Sequence, residues 1–374
     1  MIKSLIKNLS NLPGWTTNQK IVVIESDDWG AIRMASKEAL ERLEKKGVLP
    51  FDDDERIYLH NDSLATEKDF SELFEILESV KDAQNKSAVF TAVAVVANPD
   101  FEKIQQSDFK NYYYEPFTET LKKYPDHQNS FESWKKGIKS RLFVPQFHGR
   151  EHLNVINWLK ALQANNKDTL LAFDEKIYGI TPSKQENFVS FQAAFDVYDP
   201  IEINYHKQIL EEGLDLFENL FGYKASFFVP TNGPFNNQLE EVLAKKDIKY
   251  IGTSKIQKQP IGFGKNKISL HYLGQKNKWE QTYLTRNAFF EPSSNLKNDW
   301  VNACLSEIEI AFKWKKPAVI SSHRTNYTGF INPKNRENGL KQLKLLLTKI
   351  LHKWPDVIFL TSDELGNLMT KEHD

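Results

Sequence analysis

Seven short runs of this chain are apolar throughout instead of alternating with polar residues. They are "KIVVIES" (20–26), "SAVFTAVAVV" (87–96), "RLFVPQF" (141–147), "KASFFVP" (224–230), "IKYIGTS" (248–254), "PAVISS" (317–322) and "VIFLTS" (357–362). A strand with one wet face alternates, whereas a strand covered on both faces does not, and the second pattern marks a parallel sheet clothed in helices. Helical periodicity fills the intervals. In "SKEALERLEKKG" Ser36 stands as N-cap and Gly47 as stop, and "TEKDFSELFEILESV" sets Thr66 and Asp69 at capping-box spacing. Further helices are expected over 206–221, 236–246, 297–314 and 336–353, the last closed by Pro355. Alternation of this kind predicts an α/β fold, either a (β/α) barrel or an open doubly wound sheet.

Three stretches fit the alternation poorly: about 98–140, 165–205 and 255–296. They are polar, aromatic-rich and irregular, and read as insertions on one scaffold, so that residues 1–374 form a single domain. Excursions of this length usually serve as lids or binding loops. No internal repeat or low-complexity linker interrupts the chain.

Composition narrows the function classes. With 49 basic and 50 acidic side chains the net charge is -1, so no global field attracts nucleic acid. The single Cys304 excludes a disulfide framework and a thiolate metal cage, and fits a reducing compartment. The start "MIKSLIKNLSNLPGW" has no long apolar region and no small-residue cleavage site, and does not read as a signal peptide. No stretch approaches the roughly 20 apolar residues of a membrane span. A cytoplasmic protein is expected. The segment "IKSLIKNL" could form a short basic amphipathic helix that touches a membrane, a frayed leader being the plainer reading. The rings are numerous (8 Trp, 13 Tyr, 25 Phe), which suits either an ordinary core or a groove for flat-faced ligands such as sugars.

Three places carry chemistry. "IVVIESDDWG" puts Asp27 and Asp28 just beyond the first strand, at the strand edge where α/β folds build their sites. One carboxylate can bind a cation while the other stays free as a base, although Asp and Gly are also ordinary turn residues. In "QFHGREHLN" His148 and His152 follow another strand end, and a helix starting near His148 would turn both imidazoles to one ion. "AVISSHRTNY" brings His323 to the end of a late strand. Asp, His and His with an open fourth position describe a catalytic zinc-type site more than a closed structural one.

On these residues the chain resembles the polysaccharide deacetylase family, carbohydrate esterase family 4 with its NodB-homology domain. Ser26-Asp27-Asp28-Trp29-Gly30 looks like the family's first motif, T-F-D-D-G, and His148-Gly149-Arg150-Glu151-His152 like its second, H-[ST]-x-x-H. Val229-Pro230-Thr231-Asn232-Gly233 matches the third, R-x-P-Y-G, in its Pro and Gly, and Ser321-Ser322-His323 is similar to the fifth. The resemblance implies an irregular (β/α) barrel of about seven strands with long insertions. It implies a divalent metal, zinc first with cobalt or nickel as alternatives, held by Asp28, His148 and His152. It further implies Asp27 as general base, His323 as general acid, and a backbone N–H near Thr231–Asn232 that helps hold the oxyanion. The expected reaction removes an acetyl or other acyl group from an N- or O-acylated sugar or glycoconjugate precursor, the carbohydrate being the partner.

The departures are specific. The third-motif Arg is Val229, so either Arg150, Arg286 or Arg324 takes its place or the base is tuned differently. The acetyl-lining leucine is Ser321, which makes the acyl pocket more polar, and "RNAFFEP" (286–292) stands where the fourth motif's Asp–Trp belongs. Trp29, Arg150, Asn232, Arg286 and Arg324 are expected to meet substrate, with Arg324 turned toward a substrate anion or toward Asp27. Three other readings stay open, one of them a metal-dependent hydrolase of another bond, glycosidic or phosphoester. "HGREH" also matches the H-x-x-E-H peptidase pattern with Glu151 as base. An inactive glycan-binding relative would keep the fold and the aromatics.

Overall fold

The computed structural model describes residues 7–48, 53–181 and 189–371. Its strands, in chain order, are β1 (Ile21–Trp29), β2 (Phe90–Val95), β3 (Ala97–Pro99), β4 (Tyr114–Pro116), β5 (Phe143–Gly149), β6 (Phe227–Phe228), β7 (Tyr250–Thr253), β8 (Ile256–Gly262), β9 (Lys265–Leu270), β10 (Thr282–Thr285), β11 (Ala288–Phe289), β12 (Ala318–His323) and β13 (Ile358–Leu360). Each of the seven apolar runs overlaps one strand of the main sheet. That sheet is parallel, in the order β10-β7-β6-β5-β2-β1-β12-β11. β13 pairs with Ile21–Val23 of β1, below the point where β2 takes over at Ile24.

The two edges of the sheet, β10 and β11, are separated in the chain only by Arg286 and Asn287. Three peptide steps reach at most about 11 Å, so the edges must come together. The sheet therefore curls into an irregular (β/α) barrel closed along one seam by covalent chain instead of hydrogen bonds. This corrects the expectation that 255–296 is all insertion, since it supplies two strands of the barrel. "TYLT" and "AF" are too short and too mixed to carry an apolar signature. Likewise, 98–140 includes the helix Ser130–Lys139, which packs on β5 as its crossover helix. Of the stretch 165–205, residues 182–188 lie outside the described residues.

Local signals act where they were placed. Ser36 accepts from the Ala39 N–H, and Gly47 follows that helix at φ 75°. Thr66 and Asp69 form the reciprocal capping box of the helix Glu67–Glu78. Further along, the 20-residue helix Glu202–Phe221 starts slightly before its expected position and stops at Gly222, φ 76°.

The inward row of each strand places the site. Ile21 and Val23 of β1, Val93 of β2, Phe227 of β6, Leu284 of β10 and Val319 of β12 meet inside the curl, and Leu365 and Met369 of the helix Ser362–Lys371 join them. Side chains alternate with period two. The next inward positions are therefore Glu25 and Asp27, Ser321 and His323, and Arg286. Along this row β1 and β12 are apolar at their N-terminal ends and polar at their C-terminal ends, and Arg286 follows Leu284 of β10, so the barrel is plugged below and open to chemistry above. The outward rows join the helices in the larger core, which contains Trp29, Phe70, Trp134 and Phe143.

Candidate active site

Two adjacent carboxylates on a regular strand would point to opposite faces. Here the β1–β2 register shifts between Ser26 and Trp29, and Asp28 takes the left-handed φ of 74°. This bulge turns both Asp27 and Asp28 into one cavity of about 760 Å³. Few non-glycine residues adopt this backbone region, and the short polar side chain of Asp is among those that tolerate it. Gly30 completes the turn at φ 85°, where an added Cβ would stand 2.4 Å from the Val95 carbonyl oxygen.

Asp28, His148 and His152 are each 2% exposed and present ligand atoms that all lie within 4.8 Å of one another. The expected helix through the histidines is absent. His148 ends β5, residues 150–154 are irregular, and the next helix begins at Val155. Gly149, at φ 144° and against the Phe195 ring, lets the chain turn so that the imidazole centroids are 5.2 Å apart. The Val229 carbonyl accepts from Nδ1 of His148 at 2.8 Å, which leaves the Nε2 lone pair facing Asp28. Burial lowers the pKa of His152 to about 4, against the pull of Asp28, so its ring is neutral at neutral pH. Burial also opposes the charge on Asp28, but His152 and Arg33 outweigh it and hold the carboxyl well below its usual range. Arg33 occupies Oδ2 of Asp28 at 3.3 Å and leaves Oδ1 to the histidines.

These donors fit a divalent ion. Atoms about 2.0–2.1 Å from a tetrahedral zinc lie about 3.3–3.4 Å from each other. Oδ1 of Asp28 stands 3.4 Å from Nε2 of His148 and 3.1 Å from Nε2 of His152. One carboxylate and two imidazole nitrogens form a borderline set suited to zinc, cobalt or nickel.

Asp27 is held from the barrel seam. Arg286 donates through both terminal nitrogens to its two oxygens, each at 2.6 Å, while Nε reaches Glu25 at 2.6 Å and one terminal nitrogen reaches Ser321 Oγ at 3.1 Å. Burial would raise the Asp27 pKa, yet the guanidinium overrides it and the carboxyl stays ionised below its ordinary value. Of the three arginines considered for the vacant third-motif position, Arg286 is the one that grips Asp27. Ser321 thus serves the clamp as well as lining the cavity.

His323 lies opposite, its Nε2 3.9 Å from Asp27. Its Nδ1 bonds Glu291 at 2.7 Å, and Asn326 donates to the other Glu291 oxygen at 2.8 Å. Burial disfavours the imidazolium, but Glu291 prevails and raises the pKa to about 9. Glu291 was not singled out from the sequence. The only signal for it was its place in "RNAFFEP", and its reach to His323 depends on β11 pairing beside β12.

The remaining sequence candidates divide. Asn232, exposed at φ 57°, lines the cavity rim with Pro230 and Gly233. Thr231 instead turns inward and accepts from the Ala194 N–H. Trp29 is not at the cavity: it is 1% exposed, packed on Phe70 and Phe143, and donates to Ser26. Arg150 points away, engaged with Glu151 at 2.6 and 2.7 Å and with Glu212, its guanidinium over the Tyr114 ring. The same pair removes Glu151 from any role as a cavity base. Arg324 is fully buried, donating to both oxygens of Asp62 at 2.9 Å and to the Ala31 carbonyl. Neither a substrate anion nor Asp27 is its partner, because Asp62 and Ala31 take up its fork.

No protein-family model and no curated protein matches this chain. Among solved structures it is similar to a protein from Parabacteroides distasonis named by inference as a glycoside hydrolase/deacetylase. That match has 9% identity and a TM-score of 0.49, over 96% of this chain and 73% of the other. It is similar to a protein from Pseudomonas aeruginosa PAO1, named by inference as a polysaccharide deacetylase, at 8% identity and TM-score 0.47, over 95% and 93% of the two chains. A mutant form of the peptidoglycan deacetylase PdaC from Bacillus subtilis matches at 8% identity and TM-score 0.37, over 95% and 94%. Likenesses this loose assign no activity; the side chains must do that.

Proposed function

We propose that the cavity is the active site of a divalent-metal-dependent hydrolase that removes an acyl group, acetyl foremost, from an N- or O-acylated sugar or glycoconjugate. The observation that carries this reading is the pairing of opposites across one cavity. A carboxylate kept ionised by Arg286 faces an imidazole kept protonated by Glu291, beside the Asp28–His148–His152 donor set. A base and an acid whose surroundings push them into opposite protonation states form the equipment of acyl transfer to water.

Each residue then has a task. A bound ion supplies Lewis acidity for the acyl carbonyl and for the attacking water. Asp27 accepts the water proton, and Arg286 fixes the orientation of its oxygens. His323 donates its Nε2 proton to the departing sugar nitrogen or oxygen, and Glu291 steadies the imidazolium until it does so. Asn232 and its neighbours at the rim meet the sugar. Water is restricted on the Asp27 side by its burial at 4% exposure.

Elemental analysis combined with acetate release from a panel of acetylated sugars tests the proposal. About one zinc-class ion per chain is expected in the wild type, and its loss in His148→Ala together with turnover. Equal metal content in both proteins, or acetate release that survives the loss of metal, would overturn it.

A further inference from the structure

The hairpin β8–β9 has two unlike faces. Its inner face is tied to the body: Gln257 is buried and donates to the Phe235 carbonyl, His271 meets Gln257 at 2.6 Å, and Asn236 donates to the Pro260 carbonyl at 2.8 Å. In the antiparallel register Ile256 opposes Leu270 and Lys258 opposes Ile268, so these four share the other face. That face is bare, with Ile256 64%, Ile268 54% and Leu270 69% exposed, and Phe263 at the turn 63%. Natural sheet edges and faces are seldom left apolar without an occupant.

The charge of the same region has one sign. Between Asp247 and Glu280 the chain carries seven lysines and no carboxylate side chain. Lys258 stands on that bare face, while Lys265 and Lys267 alternate to the other side of β9 and are exposed there. Asp196, whose pKa burial raises while the Val197 N–H and Lys258 pull the other way, is an acidic group that faces them from outside the segment. A second copy of this chain docked by a two-fold axis would set these lysines against themselves, which argues against self-association. Branched apolar side chains around Lys258, flanked by the exposed Lys265 and Lys267 at the strand's edge, instead match the headgroup region of an anionic bilayer, where the first insert and the lysines reach lipid phosphate or carboxylate.

The face continues to the cavity. Lys255, one residue before β8, lines the cavity and donates to the Ser10 carbonyl at 2.8 Å. Ser10 and Asn11 also line it, and Leu9 and Leu12 on either side are about half exposed, at 52% and 48%. Of the basic amphipathic segment "IKSLIKNL", residues 2–6 lie outside the described residues and play no part here.

We infer that the β8–β9 hairpin, with Leu9 and Leu12, docks the protein on an anionic membrane surface and brings the cavity rim to the lipid interface. Taken with the proposed hydrolase, and resting on that reading, this favours an acylated glycan carried on a membrane lipid as substrate. The docking itself does not depend on catalysis.

Sedimentation with vesicles tests it. The full chain is mixed with vesicles of phosphatidylcholine alone, or of phosphatidylcholine with about one third phosphatidylglycerol. Binding is expected only to the anionic vesicles, weakening as salt is raised. The triple variant Lys258→Glu, Lys265→Glu, Lys267→Glu should lower the partition coefficient at least about 100-fold, given roughly fivefold per lysine. Ile268→Ser with Leu270→Ser should lower it as well. All five positions lie outside the cavity, so retained metal content in both variants reports an intact site and separates failure of docking from failure of the hydrolase reading. No binding to anionic vesicles, or binding unchanged by both variants, overturns the inference. So does a dimer in solution that Ile268→Ser with Leu270→Ser dissociates, because the face would then be a contact between copies.

Discussion

Two arginine forks in this protein are almost the same interaction. Arg286 grips both oxygens of Asp27, and Arg324 grips both oxygens of Asp62. Both forks are reinforced, the first by Glu25 and the second by the Ala31 carbonyl and by Arg33, whose Nε is 3.8 Å from Asp62. They differ in what surrounds them. The side chain of Arg286 is 18% exposed and lines the cavity, whereas that of Arg324 and its Asp62 partner are at 0%. In the sealed pair, burial keeps the Asp62 pKa raised despite Arg324, while in the open pair Arg286 wins and Asp27 is lowered. An identical bidentate contact therefore tunes a base where it meets a cavity, and braces the scaffold behind the site where it does not.

Substitutions can break that contrast. The largest effect is expected for Asp27→Asn, which keeps the charge-bearing donor set but loses the base: turnover should fall roughly 10²–10⁴-fold with metal content unchanged. A loss of metal in this variant would instead make Asp27 a ligand. Arg324→Ala should act on stability, leaving Asp62 buried without its partner, at about 3–5 kcal/mol in urea unfolding. A kinetic defect without loss of stability would return Arg324 to the site.

A smaller, pH-shaped effect should follow Glu291→Gln. Removal of the anion leaves burial to dominate, so the His323 pKa should fall from about 9, as read by NMR titration. The alkaline limb of turnover should move to lower pH with it. Because the folded pKa lies above the ordinary value of about 6.5, the pair stabilises the native state fully below that pH. Its contribution fades as pH rises toward about 9, and in the variant this slope should vanish from unfolding measurements. The smallest change belongs to Asn232→Ala at the rim. About tenfold at most on the Michaelis constant is expected, the net worth of one exposed hydrogen bond.

The sequence by itself determined the seven core strands, the capped helices and the Asp–Asp, His–x–x–x–His and His elements at strand ends. All of these are encoded locally: apolar runs, capping chemistry, and residues placed just after a strand, where a barrel opens. Only tertiary structure decided which arginine serves Asp27 and what holds His323. Arg286, Arg324 and Arg150 are equivalent as letters, and each found a carboxylate. Which carboxylate depended on strand neighbours far apart in the chain: β10 and β11 closing the seam, β12 beside β11, and Asp62 delivered by the helix Asp53–Asn61. Long-range pairing has no local signature, because the partners of a fork are set by register and burial, and those exist only once the sheet has curled.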